Sequence, residues 1–335
     1  MKERVINPVV SSSRLKPAAS PLWQAPQPKP SAAINWLKSA PFIGLHVACL
    51  AVLFTGVDAW AVALCFVTYF VRMFGITGGY HRYFAHRSYR TSRLGQFFLA
   101  CLGASALQKG PLWWASHHRQ HHRHSDMPED PHSPHVTSFW WSHVGWILSD
   151  DYEHTPIDEI KDYARFPELR WLDRWHWVPG IALAVACYFV GAFLGGWDFC
   201  LSTLFTQAEG WTCLVWGFVV STVLCYHATF SINSLTHLIG KRRYATTDES
   251  RNNLLLALIT LGEGWHNNHH HYQSSANQGF FWWEIDVSYY LIRTAALFGL
   301  TWDVRRPGYK ALNYRNVEVL QSGVPVGVPA PGEKT

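Results

Sequence analysis

Residues 116–125 read SHHRQHHRHS, five histidines in ten positions, set between stretches that are apolar and aromatic. Histidine is the commonest metal ligand, and the one side chain whose ordinary titration falls near neutral pH. So dense a group suits a metal site, a proton relay or a basic surface patch. The remainder of the chain decides among these.

The 335 residues are 48% apolar and 15% aromatic, with 18 Trp, yet only 15% are charged. Soluble domains usually carry about a quarter of charged residues. The mean hydropathy of −0.04 is nevertheless too low for a chain that is mostly embedded. A membrane protein with a substantial water-facing part satisfies both observations. The net charge of +5, without a basic run, argues for a membrane surface and for no nucleic-acid partner. Seven cysteines, at 49, 65, 101, 187, 200, 213 and 225, lie mostly in apolar stretches without C-x-x-C pairing. They read as small buried hydrophobes rather than disulfides or zinc ligands.

Four apolar segments approach the roughly 20 residues that a bilayer span needs. They are PFIGLHVACLAVLFTGV (41–57), AWAVALCFVTYFVRMFGITGG (59–79), WVPGIALAVACYFVGAFLGGW (177–197) and WTCLVWGFVVSTVLCYHATFSI (211–232). The connections at 58 and 198–210 contain no Lys or Arg. By the positive-inside rule both termini and the long middle segment are cytoplasmic. The expected fold is an all-α integral membrane protein, with four transmembrane helices in two hairpins. A cytoplasmic helical domain carrying a histidine-rich dimetal site caps them. The expected divisions are a Pro/Ser-rich disordered tail (1–38), a first hairpin (39–80), a catalytic part (81–176), a second hairpin (177–232), a second catalytic part (233–312) and a flexible tail (313–335). The apolar stretches at 94–108 and 289–300 are short and read as interfacial or buried helices.

Nine of the 19 histidines are tied to the ends of these hairpins. His81 and His86 follow the second span; His118, His121 and His122 form one H-x-x-H-H, and His266, His269 and His270 form another. Asn233 and His237 follow the fourth span as N-x3-H. Positions i, i+3 and i+4 share a helix face, so each H-x-x-H-H is expected to aim three imidazoles at one place. His81 and His86, five apart, diverge on an ideal helix and require a bend or a helix end between them. Nine imidazoles exceed the coordination of one ion and fit two, and imidazole suits Zn, Cu, Fe or Ni. Of the others, His46 and His227 read as hydrogen-bonded span residues. His132, His135 and His143 read as supports of the site or a surface loop, and His154 and His176 as flanks of a surface stretch. His117, His124 and His271 adjoin motif members.

The motifs GITGGYHRYFAHRSY, WASHHRQHHRHSD, DPHSP, SHVGW, NSLTH and LGEGWHNNHHHY resemble those of membrane fatty acyl desaturases of the stearoyl-CoA (Δ9) type, in a bacterial-like branch. The resemblance covers residues 40–306. It implies an O2-dependent desaturase that introduces a cis double bond, most typically Δ9, into a saturated C16–C18 acyl chain on CoA or lipid. The implied ligands of two Fe ions are His81, His86, His118, His121, His122, His237, His266, His269 and His270, with Asn233 reaching iron through water. Gln108, Trp114 and Thr229 match residues that bend the acyl chain in the family, and Tyr69 and Met73 match those closing its tunnel. Where animal acyl-CoA desaturases carry an Arg-Asp pair before the second box, this chain has Ser116 and His117, which leaves the acyl carrier open. The chain has no G-x-G-x-x-G and no C-x-x-C-H. Electrons are therefore expected from an external donor, a ferredoxin or cytochrome b5-like protein with its reductase. The implied setting is a bacterial inner membrane with a cytoplasmic active site.

Two other readings compete. A related di-iron hydroxylase uses similar boxes, but the N-x3-H element favours desaturation. A His-rich metal transporter would place its ligands near the bilayer midplane, whereas these lie beyond the span ends. A zinc peptidase is disfavoured, since no H-E-x-x-H occurs.

Overall fold

The computed structural model describes residues 33–196, 203 and 206–312. Helix α1 (Trp36–Thr55) opens where Asn35 Oδ1 accepts the Lys38 amide at 3.0 Å, a side-chain cap for an otherwise unpaired N–H. It begins inside the expected 1–38 tail, of which residues 1–32, like the 313–335 tail, lie outside the described residues. The helix stops at Gly56, whose φ of +72° is a backbone state that side chains disfavour. Asp58 then caps α2 (Ala59–Ala85), accepting the Ala61 amide at 2.8 Å. Three residues, 56–58, therefore separate the two helices.

The last eleven residues of α2, Gly75–Ala85, are wound as a π-helix. Packed along it is α3 (Arg93–Ala104), whose 12 residues rise only about 18 Å, too little to cross a bilayer. Small residues permit the close approach. A Cβ on Gly75 would lie 2.6 Å from the Leu102 carbonyl carbon, and one on Gly103 would lie 2.3 Å from the Tyr80 ring. Next come α4 (Pro111–His124), α5 (Phe139–His143), α6 (Pro167–Arg174) and α7 (Val178–Leu194). They are followed by α8 (Ala208–Leu238), α9 (Leu254–Ile259), α10 (His266–His271) and α11 (Val287–Leu297). Strand β1 (Arg90–Thr91) pairs antiparallel with β2 (Thr301–Trp302), Arg90 opposite Trp302.

Among the described residues three helices, α1, α2 and α8, are long and apolar enough to cross a membrane. The α6–α7 pair, bent by 69°, makes a fourth if counted as one span. Large apolar side chains such as Leu50, Phe54, Phe66 and Phe193 stand exposed on these helices, as a lipid-facing surface requires. The inner core gathers Met73, Ile76, Tyr80, Phe84, Leu99, Ala104, Leu112 and Leu172. Arg72, fully buried in α2, donates to Thr68 O and to the hydroxyls of Thr222 and Ser221 on α8. These bonds hold its charge within the helix pair.

Both long helices outrun the apolar segments that announced them. α2 continues six residues past Gly79 and carries His81, and α8 continues to Leu238 and carries Asn233 and His237. Site residues therefore ride on the same rigid rods as the spans.

Candidate metal centre

The π-winding of α2 brings His81 and His86 together. A π-helix bonds residue i+5 back to residue i, and the His86 amide bonds His81 O at 3.1 Å. The two Nε2 atoms then stand 3.1 Å apart. On α4, His118 and His122 are one turn apart, and their Nε2 atoms are 2.9 Å from each other.

The nine histidines divide into two groups. His81, His86, His118, His122 and His269 form one, and His121, His237, His266 and His270 the other, the ligand atoms of each lying within 4.8 Å. This corrects the expectation that each H-x-x-H-H aims all three imidazoles at one place. At 3.6 residues per turn, i+4 falls about 40° to one side of i, and i+3 about 60° to the other. The i, i+4 pair therefore serves one group and the i+3 member the other. His118 and His122 face the first group while His121 faces the second; His266 and His270 face the second while His269 faces the first.

In the five-histidine group the His86 ring lies 4.5–4.9 Å from each of the other four. Those four follow one another at 4.4–4.7 Å in the order His81, His118, His122, His269, and His118 and His269 face across the base at 6.2 Å. This is a square pyramid with His86 at its apex. Five pairs of Nε2 atoms are separated by 2.9–3.1 Å. An ion with bonds of about 2.1 Å sets neighbouring octahedral ligands roughly 3.0 Å apart. The donors fit such an ion, because five converging lone pairs repel one another without a cation between them.

Carboxylates hold the outer nitrogens. Asp130 lies 3.0 Å from His121 Nδ1, Asp126 2.9 Å from His237 Nδ1, and Asp248 2.6 Å from His270 Nδ1. In the other group Glu263 lies 2.5 Å from His81 Nδ1. A carboxylate on one ring nitrogen fixes the tautomer and turns the other lone pair toward the metal. Buried Nε2 of His270 has no hydrogen-bond partner among the described residues, as a ligand nitrogen should not. Burial, followed by mutual repulsion, drives His86, His118, His122, His266 and His269 well below the ordinary histidine range. Neutral imidazoles are the ligating form. Burial would raise Asp130, but His121 holds it down at about 2, so the carboxylate stays ionised.

A cavity of about 400 Å³ reaches this centre at His118 and Asn233. Gln108, Trp114 and Thr229 line it together with Phe42, Leu45, Tyr226 and Phe230. Gln108 Nε2 donates to Thr229 Oγ1 at 3.1 Å, and Trp114 stacks on His118 at 5.0 Å. Tyr69 and Met73 are not among its lining residues. Tyr69 donates to Ile259 O at 2.6 Å, and Met73 is fully buried in the core.

The remaining histidines fall outside both groups. His117 is fixed by Trp113 O, and His271 stacks on Tyr244. His46 and His227 meet at 3.0 Å, and His143 joins His227 to Ser234. His135 bonds His237 O, and His132 stacks on His121. His176, expected on a surface flank, instead lines the cavity. Sequence reasoning passed over the four carboxylates. The run HSDMPEDPH, which sets Asp126 and Asp130 just after the second box, was the available signal for two of them.

A helical membrane protein with two histidine groups able to bind metal, at the end of an apolar cavity, is built for oxidising a lipid chain. The model of the fatty acid desaturase family matches residues 58–300. The chain is 36% identical over 275 residues to the sn-1 stearoyl-lipid 9-desaturase of Anabaena variabilis, covering 81% of this chain and 94% of that one. It is 36% identical over 283 residues to the sn-2 palmitoyl-lipid 9-desaturase of Nostoc sp. (82% and 92%). It is also 36% identical over 269 residues to the acyl-CoA 5-desaturase AL21 of Anemone leveillei (79% and 77%). The chain belongs to the fatty acid desaturase family and is an acyl desaturase, an oxidoreductase of the membrane.

Proposed function

We propose that this desaturase introduces a cis Δ9 double bond into a saturated C16–C18 chain, using two iron ions held by the five- and four-histidine groups. O2 is the co-substrate, and Asn233 completes the second group through water. Two electrons per turnover come from a ferredoxin or cytochrome b5-like donor with its reductase. Four spans hold the protein in a bacterial inner membrane, with the termini and the site on the cytoplasmic side.

When bound, iron supplies the activation of O2 that breaking an unactivated C–H bond requires. The protein's own residues supply position. The apolar wall of Phe42, Leu45, Tyr226 and Phe230 receives the chain and excludes water. Gln108 and Thr229, bonded to each other, set the bend that offers two adjacent methylenes to the His118 side of the centre. Trp114, stacked on His118, holds them there. Tyr69 and Met73, matched only by resemblance to tunnel-closing residues, lie outside this cavity's lining and would limit chain length only if the acyl tunnel extends beyond it. The balance is one saturated acyl chain, O2, two electrons and two protons giving one alkene and two waters.

The observation that carries this reading is the cavity running past Gln108, Thr229 and Trp114 to His118. Its test is the fatty acid profile of a host that expresses the protein and supplies a donor, with double bonds located by mass spectrometry. A Δ9 monoene absent from a His269→Ala strain is expected. A hydroxylated acid would move the reaction to the related hydroxylases.

A further inference from the structure

The ring of His121 is the inner end of a run of aromatic side chains. His132 stacks on it at 4.3 Å, with the two planes 29° apart. Trp146 lies 4.9 Å beyond His132, and Tyr152 lies 5.7 Å beyond Trp146. These rings lead without a break from a member of the four-histidine group toward the surface. His132 and Trp146 are buried, whereas Tyr152 is half-buried beside the exposed Asp151.

Indole and phenol give up a single electron far more readily than imidazole does. Trp146 and Tyr152 can therefore hold an electron vacancy in turn, with His132 and His121 as the bridge to the centre. The surrounding charges give the run a direction. Trp113 also stacks on Trp146, at 5.5 Å and 14°, but Lys109 Nζ stands over its ring at 5.9 Å. An ammonium there is attracted to the intact ring and opposes a positive vacancy on it. Tyr152 instead feels the carboxylates of Asp151 and Asp130. Buried Trp146 Nε1 has no hydrogen-bond partner among the described residues. An oxidised Trp146 thus has no base at hand for its N–H proton and passes the vacancy on as a cation. Tyr152, in reach of water, can release its phenol proton as it is oxidised. Trp114, the indole stacked on His118, leads instead to Tyr80, which is fully buried.

Trp113, Trp114, His132 and Trp146 line the cavity, so they are the oxidisable groups left beside the centre when no acyl chain fills it. In desaturation the chain supplies two of the four electrons that turn O2 into two waters. We infer that His132, Trp146 and Tyr152 form an escape path for oxidising equivalents, by which the centre is reduced from the protein surface when it takes up O2 with the cavity empty. Trp146 gives one electron to the centre through His132 and His121. Tyr152 gives one to Trp146 and releases its phenol proton to water. A soluble one-electron reductant of the endiol class, such as ascorbate, returns the electron to Tyr152, and water returns the proton. Two such passages replace the two electrons of the absent chain, water supplies the matching protons, and O2 again ends as two waters. The inference rests on the O2-dependent desaturase reading above and adds a protective function to it.

The test uses iron-loaded enzyme in nanodiscs of diphytanoyl phosphatidylcholine, chemically reduced, freed of reductant, and frozen after mixing with O2 for electron paramagnetic resonance. Without an acyl substrate an organic radical is expected, and ring-deuterated tyrosine should narrow its spectrum. Tyr152→Phe should remove that signal and leave a longer-lived one that responds to ring-deuterated tryptophan. Trp146→Phe, its metal content checked, should abolish both. Peptide mass spectrometry after repeated cycles of reduction and O2 exposure gives a second reading. Oxygen added to Trp114 should rise in Tyr152→Phe, and ascorbate should suppress it in the unaltered protein alone. With stearoyl-CoA or a distearoyl lipid supplied, Tyr152→Phe should form monoene at the unaltered rate. A radical indifferent to both labels or to both variants would overturn the inference alone, as would no organic radical in an enzyme that forms monoene. A radical that moves with labels and variants, but no monoene from any acyl substrate, would overturn the desaturase reading and leave the escape path standing. No O2 consumption by the iron-loaded enzyme would overturn both.

Discussion

Asp248 Oδ2 lies 2.6 Å from Nδ1 of His270, and the opposite nitrogen of that ring, buried, faces His121, His237 and His266. Burial would raise the Asp248 carboxyl, yet its contact with the His270 ring and its hydrogen bonds keep it ionised well below the usual range. The four-histidine group carries three such carboxylates, on His121, His237 and His270, whereas Glu263 on His81 is the one described for the five-histidine group. The group with fewer histidines therefore has more anionic support, which raises ligand basicity.

Asp248→Asn should weaken the four-histidine group without emptying the other. Loss of such a support typically costs 10–100-fold in metal affinity. Dialysis against a weak chelator, followed by metal analysis, should leave about half the metal of the unaltered protein. Full retention in both Asp248→Asn and Asp126→Asn would show that these carboxylates do not steady ligands.

His269 shares the five-histidine group with residues from two other helices, its Nε2 lying 3.0 Å from His81 Nε2 and 2.9 Å from His122 Nε2. His269→Ala and His118→Ala should each abolish double-bond formation while the protein still inserts in the membrane. Gas chromatography of acyl methyl esters, with membrane-fraction immunoblots, reads both outcomes. Substantial residual turnover in either purified variant would sink the ligand assignment.

Glu263 joins the site to the fold. It lies 2.5 Å from His81 and 2.9 Å from the buried Arg82, which also pairs with Asp286 at 2.8 Å. Removing one partner of a buried pair leaves a charge unpaired at a cost of roughly 3–5 kcal/mol. Glu263→Gln and Asp286→Asn should both unfold at lower denaturant concentration in detergent, and only Glu263→Gln should also lower metal content. Equal metal loss in both would mean that the effect comes from the fold and not from the His81 contact.

The residues that announced themselves in the sequence are those whose spacing is a helix's own spacing. His118 and His122, or His266 and His270, stand at i, i+4, and the long apolar runs marked α1, α2 and α8. The π-winding of Gly75–Ala85 was visible only as a problem, because a spacing of five from His81 to His86 fits no α-helical face. The allocation of His121 and His269 away from their box neighbours depends on where α4 and α10 stand relative to α2 and α8. That relation is set by tertiary packing, such as α3 seated against Gly75 of α2 and, at its own Gly103, against Tyr80. The pairing of Lys38 with Asp150 and Glu153 spans more than a hundred residues and has no periodic signature at all.

Trp114 separates positioning from ligation. Its ring stacks on His118 at 5.0 Å and 25°, and lies 6.0 Å from His81, yet it offers no ligand atom and lines the cavity. Trp114→Ala removes the platform against which a bent chain is held but leaves all nine imidazoles. A misplacement of about 1 Å near the reacting carbons can cost on the order of 100-fold in rate. Turnover should therefore fall strongly, or the double bond should spread to neighbouring positions, while metal content stays at the unaltered level. Thr229→Val, which removes the acceptor of Gln108 but keeps the volume, should act in the same direction and more weakly. Metal content in Trp114→Ala falling to that of His118→Ala would make the ring a support of the ligand rather than of the substrate.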